Sequence, residues 1–457
     1  MPAPLLDDSP AVGTSNSAFD HLVNWFRPAP AVPRKSPEEI AREYPIFRWR
    51  IFEATFIAYA AYYLVRNNLS PVQVDMGHAL GYDKTMIGSI LASSAGAYGI
   101  GKLVLGQFAD RSNAKRFLLL GLVLTALLNF AFGLSRNFPA HLALWTLNGF
   151  VQGMGSGPCL RSLAHWYSVR ERGTVFGFWN ISHNIGGAAT GIISAKCTEY
   201  FNWPSAFYVP GALALICAAY VFFRMYDTPQ SVGMPPVEEY KGVRPAASWP
   251  QSSERELSIR EIVFIYLLPN RVLWILGCAT FFAYIANYSL ADWGPTYLRE
   301  AKGASLTDGG ISIAVTEIAG IFGMLAMGFI SDRVGGRRGM ISALSMLPLI
   351  LGYEAMILAP AHKVWIEFII FAVIGFFSYG PLMLMGVMSL DFTSKKAVAT
   401  AGGFIALFGY MGRMVEGQAI GWIAQHYGWE LGFDCVIGCV AMGFILLCFT
   451  WNTRPRG

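Results

Sequence analysis

The apolar residues of the chain gather into long runs set off by short polar stretches. Six runs come first, at about 46–70, 87–108, 116–134, 141–160, 175–197 and 206–223. Six more follow at about 270–298, 308–330, 339–358, 364–390, 397–425 and 430–450. A helix rises about 1.5 Å per residue, so roughly twenty apolar residues cross the hydrocarbon core of a bilayer, and the runs have that order of length. Between the two sets lies a polar stretch with Pro229, Pro235, Pro236, Pro245 and Pro250. The pattern predicts an all-α membrane protein of twelve transmembrane helices. Its expected parts are an N-terminal tail over 1–45, a first six-helix bundle over 46–225, a central loop over 226–268, a second bundle over 269–452 and a short tail over 453–457.

Composition narrows the class. Hydrophobic residues make up 54% of the 457 positions and charged residues 14%, where a soluble domain carries roughly 25% charged. So few charges cannot cover the surface of a water-soluble fold, and so much apolar residue excludes intrinsic disorder. The net charge of +5 is small and spread over loops, which excludes a nucleic-acid-binding face. Seven cysteines lie mostly in or beside apolar runs, and only Cys435 and Cys439 stand one helical turn apart. That is packing, without metal-ligand spacing. No nucleophile–base set, nucleotide motif or metal site is visible, so the expectation is a non-enzyme without a cofactor.

Basic residues give an orientation. The tail holds Arg27, Arg34, Lys35 and Arg42, and Arg111, Lys115 and Arg116 follow the second run. Arg170 and Arg172 precede the fifth, Arg333, Arg337 and Arg338 follow the eighth, Lys395 and Lys396 precede the eleventh, and Arg454 and Arg456 end the chain. All fall on one side, while opposite loops such as 75–84 hold fewer bases. By the positive-inside rule, both termini are expected in the cytoplasm and the protein in the cytoplasmic (inner) membrane.

The two halves repeat. Gly106-Gln-Phe-Ala-Asp110-Arg111 with Lys115-Arg116 returns 222 positions on as Gly328-Phe-Ile-Ser-Asp332-Arg333 with Arg337-Arg338. The glycine permits close helix approach, and the aspartate can cap a helix or pair with a base when that side closes. This G-x-x-x-D-R loop resembles that of the major facilitator transporters, and the resemblance runs over the whole chain. It implies two pseudo-symmetric six-helix bundles with a substrate site between them near mid-membrane. It also gives Asp110, Arg111, Asp332 and Arg333 a gating or structural part.

A charge within a span costs about 2.5–3.5 kcal/mol on insertion scales, so intramembrane charges are functional candidates. They are Arg66, Lys102, His183, Glu317, Arg413 and Glu416, more cationic than anionic. A cavity with surplus positive charge suits an anionic substrate, and an arginine fork can hold phosphate or carboxylate through two hydrogen bonds. The lesser alternative is that Arg66 and Lys102 reach an interface or pair with a carboxylate. Glu317 joins the gating or structural set. Arg413 and Glu416, about one turn apart, are spaced to pair with each other.

The fifth run sharpens the resemblance. It reads Arg172-Gly173-x5-Trp179-Asn180-x2-His183-Asn184-Ile185-Gly186-Gly187, and Ala-Tyr-Tyr-Leu-Val-Arg-Asn-Asn surrounds Arg66. The central loop opens Asp227-Thr-Pro-Gln-Ser-Val-Gly-Met-Pro-Pro-Val-Glu-Glu-Tyr-Lys241, and Asp292-Trp293, Pro295-Thr296-Tyr297-Leu298 and Phe408-Gly409-Tyr410 follow later. Together these are similar to the signature of the organophosphate:phosphate antiporters, which include glycerol-phosphate, hexose-phosphate and phosphoglycerate transporters and a sensor relative. The resemblance implies that Arg66 is the first-half phosphate-binding arginine, His183 the histidine beside the phosphate and Lys102 the intramembrane lysine. It makes Tyr59, Tyr63, Tyr98, Asn180, Tyr379 and Tyr410 cavity positions. In one place the chain departs: the family carries a second arginine where Asn287 stands, and Arg413 is the candidate substitute.

The expected function is therefore a secondary transporter exchanging an organophosphate for inorganic phosphate. One alternative is a membrane-embedded phosphosugar sensor that signals to a kinase partner. The other is a transporter of a different organic anion, a reading Asn287 favours.

Overall fold

The computed structural model describes residues 24–242, 264, 267–392 and 398–453, with all but four of their side chains (Asp110, Leu390, Val398 and Ala399). The expected roles of Lys395, Lys396, Arg454 and Arg456, and of the Asp110 carboxylate, fall outside that description. The described residues are helical throughout, without strands. The first six spans are α1 (Pro37–Leu64), α2 (Lys84–Arg111), α3 (Ala114–Leu134), α4 (Phe138–Gln152) continued by α5 (Ser156–Trp166), α6 (Val169–Tyr200) and α7 (Ser205–Arg224). The last six are α8 (Arg271–Tyr288) continued by α9 (Gly294–Ala301), α10 (Leu306–Arg333), α11 (Arg338–Leu358), α12 (Val364–Asp391), α13 (Val398–His426) and α14 (Trp429–Cys448).

The helices begin where side chains can satisfy the first free N–H groups. Ser36 and Glu39 form a capping box on α1, Asp83 accepts the Met86 N–H at 2.7 Å and Asn113 the Arg116 N–H at 3.1 Å. By length and composition, seven of the described helices are apolar enough to cross a membrane: α3, α7, α8 with α9, α10, α11, α12 and α14. The others carry much of the polar chemistry: α2 holds Lys102, α6 holds Asn180 and His183, and α13 holds Arg413 and Glu416.

Two pseudo-symmetric spans are broken in mid-course, as is the fourth expected span, at residues 153–155 between α4 and α5. α1 ends at Leu64, so Arg66 sits on a turn just beyond it. Backbone freed from a helix within a bilayer must find partners inside the protein. Here the Val65 carbonyl accepts from the side-chain amides of Asn129 and Asn148, both at 3.0 Å, and Asn68 donates to Asn129 at 2.8 Å and to the Ala206 carbonyl at 2.9 Å. The pseudo-symmetric span breaks as well, at a π-helical turn over Ser289–Trp293 between α8 and α9. The two breaks meet: Ser70 donates to the carbonyls of Ala291 (2.6 Å) and Asp292 (2.9 Å), and Gln73 donates to that of Asp292 (2.8 Å).

The halves touch mainly through α2 against α13 and α6 against α10. Glycines make both crossings close. A Cβ on Gly88 would lie 2.5 Å from the Gly417 carbonyl oxygen, and one on Gly310 would lie 2.4 Å from that of Gly191. Among the described residues, the ion pairs between halves are Asp75–Arg299 at 2.5 Å and Lys84–Glu300 at 2.9 Å, and Thr307 donates to Glu199 at 2.7 Å. All lie on the face opposite the Arg111 and Arg333 loops. On the basic face, ion pairs among the described residues stay within one half, as in Arg48–Glu171 and Arg338–Asp391. Among the described residues, the ion pairs that latch the halves together thus lie on one face.

Candidate functional site

Between the halves, at the level of the two pseudo-symmetric breaks, lies a cavity of about 250 Å³. Of the residues expected to face substrate, Tyr63, Asn180, His183, Asn287, Tyr379 and Tyr410 line it. Arg66, Tyr98 and Lys102 stand directly behind that lining. The Arg66 guanidinium carbon is 3.9 Å from the centre of the Tyr98 ring and 5.2 Å from that of Tyr63, and Lys102 Nζ is 5.6 Å from that of Tyr410. Tyr98 meets Tyr410 edge-on at 4.7 Å, which joins the two cations through one aromatic cluster. Tyr59 lies one layer further out, stacked on Trp179 at 4.6 Å.

Arg66 is buried, and no carboxylate pairs with it among the described residues. Tyrosine faces hold it instead. A cation over a ring is stabilised by the ring quadrupole, more so away from water, but the ring brings no neutralising charge. The guanidinium thus retains a full positive charge beside the cavity.

His183 is half-buried between Tyr63 and Tyr379, with ring centres 5.4 and 6.1 Å away. Its Nδ1 is hydrogen-bonded to the Asn180 carbonyl one turn back on α6. A carbonyl only accepts, so Nδ1 carries the proton, and the neutral ring has only the Nε2 lone pair left to offer. Asn287 is buried and accepts a hydrogen bond from Ser378 at 2.9 Å.

Three findings change the expected assignment. Glu317, expected to have a gating or structural part, lines the cavity and accepts from Asn184 of the other half at 2.8 Å. Arg413 does not pair with Glu416. Its Nε and Nη2 donate to the two carboxylate oxygens of Asp292 at 3.0 and 2.9 Å, and Tyr288 covers it at 3.9 Å. The π-helical turn brings Asp292 to Arg413 in a bidentate geometry that a neighbour on the same helix cannot match. Arg413 is thus neutralised and is no free second clamp, and Glu416 stands apart from the cavity lining. Third, Asn67, Tyr284 and Tyr288 also line the cavity. Asn67 adjoins Arg66, and both tyrosines flank Asn287 on α8, which is the signal that sequence reading passed over.

The gating candidates lie on the basic face. Arg111 is exposed, Arg333 lies over Phe329 at 4.1 Å, and the largely exposed Asp332 is 3.9 Å from Arg338, which pairs more tightly with Asp391. Among the described residues, no group of three or more His, Cys, Asp or Glu could hold a metal.

The comparisons with known proteins agree with this architecture. Residues 55–353 match the Major Facilitator Superfamily. The chain is 36% identical to a probable hexose phosphate transport protein of Chlamydia pneumoniae, covering 94% of this chain and 97% of that one. It is 36% identical to the glycerol-3-phosphate transporter of Bacillus subtilis (95% and 99%) and 31% identical to the membrane sensor protein UhpC of Escherichia coli (94% and 98%). Among solved structures it resembles a bacterial homologue of the human lysosomal transporter Spinster, with TM-score 0.73, 14% identity and coverage of 90% of this chain and 99% of that one. It also resembles the nucleoside transporter NupG, with TM-score 0.70, 14% identity and coverage of 89% and 100%. The chain is a multi-pass membrane protein, not an enzyme, and belongs to the major facilitator superfamily in its organophosphate:phosphate antiporter family.

Proposed function

We propose that the protein is a secondary transporter of the cytoplasmic membrane that exchanges an organophosphate, such as glycerol phosphate, a sugar phosphate or phosphoglycerate, for inorganic phosphate by alternating access. Both termini lie in the cytoplasm, so the face that carries the ion pairs between the halves is the extracytoplasmic one. The observation that carries the reading is Arg66, a buried guanidinium held by tyrosines and left without a counter-charge. An anion supplies that charge. With it bound, the cost of the isolated cation is relieved and the halves can close over the site. The empty cationic cavity resists that closure, which favours exchange over one-way leakage.

Arg66, Lys102 and His183 receive the phosphate, and the tyrosines and asparagines pack around the organic group. Curated relatives named as glycerol-3-phosphate and probable hexose phosphate transporters support the substrate class. The test is counterflow in vesicles: protein reconstituted with internal phosphate takes up labelled external phosphate, and glycerol phosphate or a hexose phosphate competes. Failure of every phosphate compound to support or inhibit counterflow rejects the assignment.

A sensor reading is favoured by one observation, the 31% identity to a relative named as a membrane sensor protein. A receptor needs occupancy without flux, and relatives named as membrane sensors match along nearly the whole chain. Tight phosphosugar binding with no counterflow, and a response in a kinase partner, identifies this case.

A further inference from the structure

Glu416 lies on α13 and is 1% exposed, and neither of its carboxylate oxygens has a hydrogen-bond partner among the described residues. An ionised carboxylate here lacks what makes a buried charge tolerable: water, a donor or a free cation. The adjacent cation, Arg413, already gives both arms of its fork to Asp292. The groups acting on Glu416 are Arg413 on its own helix, Asp292 on the π-helical turn and Tyr353 on α11. The Tyr353 hydroxyl donates to the Ala286 carbonyl. α2 meets this stretch of α13 through Gly88, Ser89 and Leu91, and the acids of α14, Glu430 and Asp434, are exposed. Tyr288 on α8 covers Arg413 rather than Glu416, and Glu367 on α12 is paired with Lys302. Two acids thus share one cation, and the second acid adds repulsion to any charge on Glu416.

We propose that Glu416 is a proton-binding site that couples a proton to the conformational cycle. While Arg413 holds Asp292, the Glu416 carboxyl keeps its proton. The same Asp292 accepts, through its backbone carbonyl, the hydrogen bonds of Ser70 and Gln73 from the other half. Separation of the halves on that face therefore disturbs the π-helical turn, admits water that solvates the Asp292 carboxylate, and loosens the Arg413 fork. Arg413 then turns to Glu416, about one helical turn away, whose O–H bond breaks. The proton passes to water and the carboxylate takes the guanidinium. Reclosure returns Arg413 to Asp292 and a proton to Glu416.

The proton site itself needs no substrate, while its effect on flux rests on the transport reading, so the test has two arms. In purified full-length protein, infrared difference spectra over a pH jump are expected to show a protonated-carboxyl C=O band that E416Q lacks. In vesicles containing phosphate, an imposed pH gradient is expected to change labelled-phosphate counterflow several-fold in the wild type. E416Q, an isostere of the neutral acid, keeps counterflow without a gradient and loses the response; phosphate's own titration is common to both proteins. An identical carboxyl band or an identical gradient response in both proteins overturns the proposal. Absence of counterflow from both counts against the transport reading, and the infrared arm then decides the proton site. Where E416Q is not recovered folded, E416D is expected to shift the band, and an unshifted band overturns the proposal as well.

Discussion

The guanidinium of Arg66 lies over the face of Tyr98 at 3.9 Å, closer than over Tyr63 at 5.2 Å. A ring face stabilises the cation through its quadrupole and supplies no carboxylate, so the charge stays available to an anion. Arg66→Lys keeps the charge but loses both the stacking plane and the fork. Phosphate affinity is expected to fall about 10- to 100-fold, the worth of one or two charge-assisted hydrogen bonds. Titration calorimetry with inorganic phosphate measures it, and affinity within twofold of wild type refutes a bidentate role.

His183 has its Nδ1 proton committed to the Asn180 carbonyl, so it can donate to an anion only from a protonated Nε2. Anion binding then favours the imidazolium, so affinity should fall as pH rises. A glutamine amide donates at every pH. His183→Gln is expected to bind more weakly at low pH and to flatten the profile between about pH 5.5 and 7.5, where phosphate also titrates. Binding curves of equal slope in the two proteins would assign the histidine to packing.

Asn287 lines the cavity, and Arg413, locked on Asp292, leaves the second half without a free guanidinium there. Asn287→Arg is expected to raise affinity for phosphate compounds by up to about tenfold, a charge-assisted hydrogen bond less the cost of a cation in the empty site. Release slows, so counterflow falls as affinity rises. Weaker binding would mean that Arg413 leaves Asp292 and competes.

Asp332 is largely exposed in this conformation and only 3.9 Å from Arg338. A residue so placed acts on populations rather than on site contacts. Asp332→Asn, and Asp110→Asn in the repeated loop, are expected to slow exchange several-fold with phosphate affinity unchanged. Parallel loss of both quantities would contradict that separation.

The latch on the opposite face gives a further expectation. Gly310 meets the Gly191 backbone at 2.4 Å from a would-be Cβ, and Arg299 meets Asp75 at 2.5 Å. Gly310→Val should force α6 and α10 apart and trap the latched face open. Arg299→Ala should do so weakly, since partly exposed ion pairs contribute up to about 1 kcal/mol. Cysteine labelling at that face should rise strongly in the first variant and modestly in the second.

Hydropathy sums over a whole helix, so the long apolar elements were legible to within about three residues: 339–358 against Arg338–Leu358, and 308–330 against Leu306–Arg333. The mid-span breaks were not, because they depend on Asn68, Asn129 and Asn148 converging from different helices. Six cavity positions followed from motif resemblance. Tyr284 and Tyr288 did not, since their one signal is a place beside Asn287 on α8, and no quoted motif singles them out. The Arg413–Glu416 expectation rested on helical spacing alone. Asp292 falls inside the seventh run as an intramembrane acid, and its claim on Arg413 depends on a π-helical turn that no periodicity announces.

The polarity of the cavity-forming helices bears on how the protein can be made. Among the described residues, only α3 and α7 of the first half are apolar enough to cross a membrane by composition, against five of the six spans in the second. Ribosomes deliver the first half first, so its least self-sufficient helices emerge before most of their partners. Translocon partitioning of α2 or α6 therefore depends on neighbours already in place, and a nascent chain cut off before α7 lacks one of the two helices that anchor the group. Each further charge engineered into these helices adds about 2.5–3.5 kcal/mol to insertion. Membrane yield, rather than affinity, sets the ceiling on how strongly cationic this site can be made.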